Sequence, residues 1–90
     1  MIGVYMRAVS MTVEQYKQID AKLRESTGAV PTGLMLHTVF KEGESLAIFD
    51  VWESEEAFTS MGPVLMPIIE EFGAELSPPQ FCEMVAYEAH

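Results

Sequence analysis

Basic residues are scarce in this chain. Five Lys and Arg stand against 14 Asp and Glu, which leaves a formal charge of −9. A surface of that sign repels nucleic-acid phosphates and anionic headgroups, so neither a nucleic acid nor a membrane is an expected partner. Cysteine is nearly absent. Cys82 alone excludes an internal disulfide and a Cys-rich metal site, and it reads as a buried thiol in a cytoplasmic protein. The two histidines, His37 and His90, have no carboxylate pattern around them, so no metal is expected. No apolar run is long enough to span a bilayer. The Met1 start has no basic region followed by an apolar run, so no signal peptide is expected. A glycine-rich phosphate loop, a nucleophile elbow and a Cys/His pair are missing as well.

What is abundant is apolar surface. Hydrophobic residues make up 49% of the chain, with seven Met, five Phe, three Tyr and one Trp. Ninety residues suit one domain, residues 1–90. A chain this short buries a modest core by itself, and oligomerisation is one outlet for the surplus.

The period of the pattern changes along the chain. "IGVYMRAV", residues 2–9, suits a strand. In "SMTVEQYKQIDAKLREST" the apolar residues Val13, Tyr16, Ile19 and Leu23 recur at helical spacing. Thr12 and Gln15 fit a capping box, and Gly28 fits a left-handed stop. "GAVPTG" is a loop. Two strands follow, near 34–41 and 45–53, with the turn at "EGE". Ser54 caps a second helix whose first turn carries Glu55 and Glu56. Pro63 and Pro67 interrupt it, so the helix is expected to run to about Ser60, break at Gly62 and restart at Pro63. "GAELSPPQ" reads as a loop and "FCEMVAYE" as a last strand. The order is β-α-β-β-α-β, a ferredoxin-like α+β arrangement: a four-stranded antiparallel sheet with two helices on one face.

The hairpin is apolar on both faces. Leu34, Leu36, Thr38 and Phe40 form one set in its first strand; Met35, His37, Val39 and Lys41 form the other. In the second strand the sets are Leu46, Ile48, Asp50, Trp52 and Ala47, Phe49, Val51, Glu53. Helices cover one face of such a sheet. A second copy of the sheet, in a two-fold homodimer, is the simplest cover for the other.

"GLMLHTVFKEGESLAIFDVWESEEAF", with "GPVLMPIIEEFG" and "PPQ", resembles the small dimeric α/β-barrel proteins, which include the antibiotic-biosynthesis-monooxygenase-like domains. The run Asp50-Val51-Trp52-Glu53-Ser54-Glu55-Glu56-Ala57-Phe58 is nearest to the shared pattern, a strand ending in Trp before an acidic helix start. The resemblance implies sheet-to-sheet dimers and a pocket between sheet and helices. Trp52 would line that pocket, with Tyr16 and Phe58 facing in from the helices. The haem-degrading branch places a histidine ligand on the helix about ten residues after the Trp. This chain has Gly62 there, so no haem, and no other cofactor, is expected.

Two polar residues sit inside the hairpin. His37 is the best candidate for a catalytic group, since its proton exchanges near neutrality; it could equally be a core histidine with both nitrogens satisfied. Asp50 is costly to bury unless paired. A two-residue loop would put His37 opposite Ile48 and on one face with Asp50 and Trp52; a three-residue loop would split them. The two-residue loop is favoured, because it lets the polar pair meet. Arg7 could steady an anionic substrate or be solvated. Two functions follow. One is a dimeric module that binds a small apolar or aromatic molecule between sheet and helices. The other is a cofactor-independent monooxygenase- or isomerase-like enzyme acting on an aromatic or polyketide-type substrate, with the broken helix at 61–67 as its gate.

Overall fold

A computed structural model describes residues 1–28 and 30–90. The loop expected over 28–33 therefore lies partly outside the described residues. Strand β1 (Ile2–Val9) leads into helix α1 (Val13–Thr27), then strands β2 (Leu34–Glu42) and β3 (Ser45–Trp52). Two helical pieces, α2 (Glu55–Ser60) and α3 (Gly62–Glu71), precede strands β4 (Glu75–Leu76) and β5 (Gln80–Glu83). The strand order is β2-β3-β1-β4, with β5 also pairing β1, and every pairing is antiparallel. This is the ferredoxin-like α+β fold.

Local chemistry sets the helix boundaries. The Thr12 hydroxyl accepts from the Gln15 amide at 3.1 Å, and the Gln15 side chain accepts from the Thr12 amide at 3.0 Å. At the other end Gly28 takes φ 74°, and its N–H reaches the Arg24 carbonyl at 2.8 Å. The Ser54 hydroxyl caps α2 by accepting from the Ala57 amide at 3.1 Å. Met61 joins α2 to α3, and Pro63 falls in the first turn of α3, where its missing donor is harmless.

The last strand differs from its sequence reading. Glu75–Leu76 is not loop: it pairs with Ala8 and Val9. Gln80–Glu83 resumes the pairing along Ile2–Tyr5. Pro78 and Pro79 cannot donate to a ladder, so they divide one edge strand into two. Ser77 bridges the gap: its N–H donates to the Arg7 carbonyl and its hydroxyl accepts from the Arg7 N–H, both at 2.8 Å. The strand also ends at Glu83 rather than residue 88. Beyond it the chain crosses the sheet face opposite the helices, and the Tyr87 hydroxyl donates to the Met35 carbonyl on β2 at 3.3 Å.

The hairpin loop is two residues long, Gly43 and Glu44, since Glu42 pairs with Ser45. Gly43 supplies the positive φ of 63° that the first loop position of a II′-type turn needs. The pairing is shifted from the one expected: His37 lies opposite Asp50, not Ile48. The shift is by an even step, so His37, Ile48, Asp50 and Trp52 keep a common face. A bulge at Met35 then restores Leu34 to that face, opposite Trp52.

The helix-covered face holds two apolar clusters. Ala8 and Leu46 pack with Ile19 of α1 and with Ile68 and Ile69 of α3. Val4, Met6, Ile48 and Trp52 pack with Ala57, Phe58 and Met61. On the opposite face a Cβ at Gly3 would come within 2.9 Å of both Met84 Sδ and Phe49 Cζ. Gly3 therefore lets the crossing C-terminal segment lie close to the sheet. Cys82 pairs opposite Gly3 on the edge strand and is exposed, not buried as its type suggested.

We predict that Gly3→Ala pushes the Phe49 ring and Met84 aside and destabilises the fold by about 1–3 kcal/mol. A lowered urea midpoint would show it, and an unchanged midpoint would mean that the segment after β5 does not bear on the sheet.

Candidate functional site

Between the sheet and the helices lies a cavity of about 270 Å³. Met6, Ile48 and Trp52 form its sheet wall, α1 contributes Tyr16 and Ile19, and α3 contributes Ile69. Pro31 and Met35 lie at its β2 end, and Asp20 and Arg24 bring charge to one side of it. The wall is otherwise almost wholly apolar, so its few polar atoms determine what it can recognise.

Those atoms form a chain. Asp50 is 3% exposed in mid-strand. Its Oδ1 lies 2.7 Å from His37 Nδ1 on the facing strand. His37 Nε2 lies 2.6 Å from the Tyr16 hydroxyl, which reaches down from α1. The Tyr16 and His37 rings are nearly parallel, at 23° and 6.1 Å between centroids. A carboxylate only accepts, so Nδ1 carries a proton and donates to Asp50. In the neutral imidazole Nε2 then accepts from the Tyr16 O–H; in the imidazolium Nε2–H donates to the Tyr16 oxygen, and the hydroxyl proton is free to point elsewhere.

The electrostatics follow from burial and charge. The hydrogen bond that His37 donates to Asp50 raises the His37 pKa above its ordinary value, with the Asp50 and Asp20 charges acting in the same direction. Partial burial and the Arg24 charge oppose them. Burial pushes the Tyr16 hydroxyl up to about 12, helped by the charges of Asp20 and Asp50. Tyr16 is thus a neutral hydrogen-bonding group near pH 7, and His37 is a strengthened base.

Trp52 adds a donor. Its side chain is fully buried, and its indole Nε1 finds no hydrogen-bond partner among the described residues. Buried indole N–H groups normally have one. This orphan belongs to a residue on the cavity wall.

The structure thus brings Tyr16, His37, Asp50 and Trp52 to one cavity. Phe58 stands elsewhere: it packs edge-on against Trp52 at 5.7 Å, and Phe81 packs edge-on against Phe58 in turn. Phe58, on α2, is not among the cavity's lining residues and supports the Trp52 ring instead. Arg7 is on the opposite face, paired with Glu42 at 3.0 Å, and cannot meet a ligand in the cavity. Sequence reasoning missed the contact between Tyr16 and His37, which joins a helix to a strand 21 residues away. It also missed the Asp20–Arg24 pair beside the cavity, 3.0 Å long, although the i, i+4 spacing announces it. Among the described residues no cluster of three or more metal-ligating side chains occurs.

No family model matches the chain, and no curated protein is similar to it in sequence. Solved structures are similar in fold. A provisionally assigned antibiotic biosynthesis monooxygenase from Chloroflexus aurantiacus J-10-fl superposes with a TM-score of 0.64 at 15% identity, over 99% of this chain and 98% of that one. The Rv0793 protein from Mycobacterium tuberculosis gives 0.64 at 13% identity, over 98% of both chains. The de novo designed protein Foldit4 gives 0.58 at 9% identity, over 92% of this chain and 97% of that one. The resemblance read in the sequence is therefore matched in three dimensions: the chain has the fold of the antibiotic-biosynthesis-monooxygenase-like proteins. A designed protein with the same fold shows why fold alone assigns no activity.

The His37–Asp50 pair yields a pH dependence. The folded-state pKa of His37 is raised, so the stabilisation it gives is full below the unfolded value of about 6.5. That stabilisation is lost as pH rises through the higher folded value. Unfolding free energy measured from pH 5.5 upward should carry this decline in the wild type. Asp50→Asn should flatten it and lower the His37 pKa seen by NMR. A His37 titration unmoved by Asp50→Asn would refute the coupling.

Proposed function

We propose that this protein binds a small, largely apolar or aromatic molecule in the cavity between sheet and helices, and that it does so as a two-fold dimer. The cavity carries the reading: an apolar chamber with a few placed polar groups is the usual form of a small-molecule site. At about 270 Å³ it lies just under the size at which such sites commonly begin, roughly 300 Å³, so the ligand is compact. Among the described residues no helix is long and apolar enough to cross a membrane, and a cytoplasmic location fits the exposed thiol of Cys82.

The dimer reading rests on the sheet face turned away from the helices. The segment after β5 crosses part of it, yet Val9 and Phe40 remain 45% exposed there, and Val85 on that segment is 98% exposed. Apolar side chains left open on one face favour a self-complementary contact. An enzymatic role, as a cofactor-independent monooxygenase or isomerase, is the second reading. It is favoured by the Tyr16–His37–Asp50 chain and by the name of the Chloroflexus neighbour.

Two measurements test these readings. 1-Naphthol should raise the melting temperature by mass action, and Ile48→Phe, which narrows the cavity, should remove the shift. No shift for naphthol or any similar aromatic at millimolar concentration would end the binding reading. Light scattering should give twice 10.0 kDa for the wild type, falling toward a single copy in Phe40→Lys; a wild-type monomer would end the dimer reading.

A further inference from the structure

We propose that Tyr16, His37 and Asp50 form a proton-transfer site that interconverts the keto and enol forms of a small apolar carbonyl compound, whose oxygen accepts a hydrogen bond from Trp52 Nε1. The proposal rests on the ligand-binding reading of the same cavity.

Two independent observations carry it. The first is the unbroken hydrogen-bond chain from Asp50 through His37 to Tyr16, at 2.7 and 2.6 Å, with all three residues on the cavity wall. A chain that served structure alone would need only the pair that neutralises Asp50. Here it extends one group further, to a hydroxyl carried by another element. The second is the unpartnered Trp52 N–H, a donor without an acceptor in a wall otherwise almost free of them. Trp52 and Asp50 are alternate residues of β3, so they share the sheet face that borders the cavity, and both belong to its lining.

The step balances without any co-reactant. The C–H bond next to the carbonyl breaks and its proton goes to the Tyr16 oxygen. The Tyr16 hydroxyl proton moves to His37 Nε2 in the same event. The electron pair left on carbon is delocalised onto the carbonyl oxygen, which the Trp52 N–H holds as it gains negative charge. The products are an enolate and an imidazolium that lies between Asp50 and Tyr16. Return of the proton through Tyr16 to the enolate oxygen gives the enol, and return to carbon regenerates the ketone. The neutrality of Tyr16 at pH 7 suits a group that passes a proton on rather than keeping one, and the raised basicity of His37 suits the receiver. Asp20 and Arg24, which also act on His37, face the same chain from α1.

Benzoylacetone is a fitting probe, because its keto and enol forms absorb at different wavelengths and it is small and aromatic. The wild type should speed its tautomerisation over buffer. His37→Gln and Tyr16→Phe should each lower that rate by about 100-fold or more while the ligand-induced rise in melting temperature persists. The wild-type rate should climb with pH as His37 loses its proton, with a midpoint above the ordinary histidine value. Asp50→Asn should move that midpoint down, which a structural role would not do. Trp52→Phe should weaken benzoylacetone more than 1-naphthol, which has no carbonyl. Rates unchanged in both His37→Gln and Tyr16→Phe would overturn the proposal. Binding of benzoylacetone without acceleration would overturn it too, yet leave the cavity reading intact. Failure of both probes to bind would remove the two together.

Discussion

A carboxylate 3% exposed in the middle of a strand has to be met by a donor. Asp50 is met by His37, directly across the hairpin, and much else in the structure follows from that pair. The pair requires one register of β2 on β3. That register in turn puts Ile48 and Trp52 on the helix side and leaves Ala47, Phe49 and Val51 on the other. A slip by one residue would turn His37 and Asp50 to opposite faces and leave a buried charge alone, which is among the most destabilising single changes a core can suffer. The polar pair is thus a register lock within two strands that are otherwise apolar on both sides and have little else to distinguish their faces. The tight turn at Gly43–Glu44 and the bulge at Met35 agree with it from the two ends of the hairpin.

The same pair decides the character of the cavity. With His37 Nδ1 committed to Asp50, the free valence of the site is at Nε2, and Tyr16 occupies that position. The donor–acceptor roles along the chain are therefore fixed at one end by the carboxylate and adjustable at the other. Protonation of His37 reverses the Tyr16 hydrogen bond without moving a heavy atom. Few arrangements of three side chains transmit a change in charge to a cavity wall at so small a structural cost. Trp52 differs in kind. Its ring is held by Phe58, which is held by Phe81, an edge-to-face series that runs from β3 through α2 to β5. The indole is immobilised by packing, and its N–H is a donor of fixed direction.

Much of this was legible in the sequence, for identifiable reasons. Helix ends were visible because capping is local chemistry: Thr12, Gln15, Gly28 and Ser54 act within a turn of themselves. The break at Met61–Gly62 was visible because proline carries its own constraint. The common face of His37, Asp50 and Trp52 was visible because strand periodicity is strict. The exact partner of His37 was not, since that depends on which two residues of "EGE" form the loop, and Gly43 suits either position of a tight turn. The short β4 was hidden because its pairing depends on Ser77 taking over backbone hydrogen bonds around two prolines, a long-range effect. The exposed Cys82 went against its residue type because an edge strand leaves one side of its ladder open. The Tyr16–His37 contact depends on how α1 lies across the sheet, which no local pattern records.

The C-terminal segment bears on how the two faces of the sheet share their work. Helices α1 and α3 cover one face and flank the cavity; the segment after Glu83 crosses the other, held by Met84 near Gly3 and by Tyr87 on the Met35 carbonyl. Met35 is also the bulged residue of β2 and one of the cavity's lining side chains. Its backbone is thus tied to the back face while its side chain borders the front. The Tyr87 hydrogen bond therefore falls on the bulge that sets the end of β2 nearest the cavity. The two faces of the sheet thus meet at a single residue, whose irregular pairing breaks the ladder between Leu34 and Leu36.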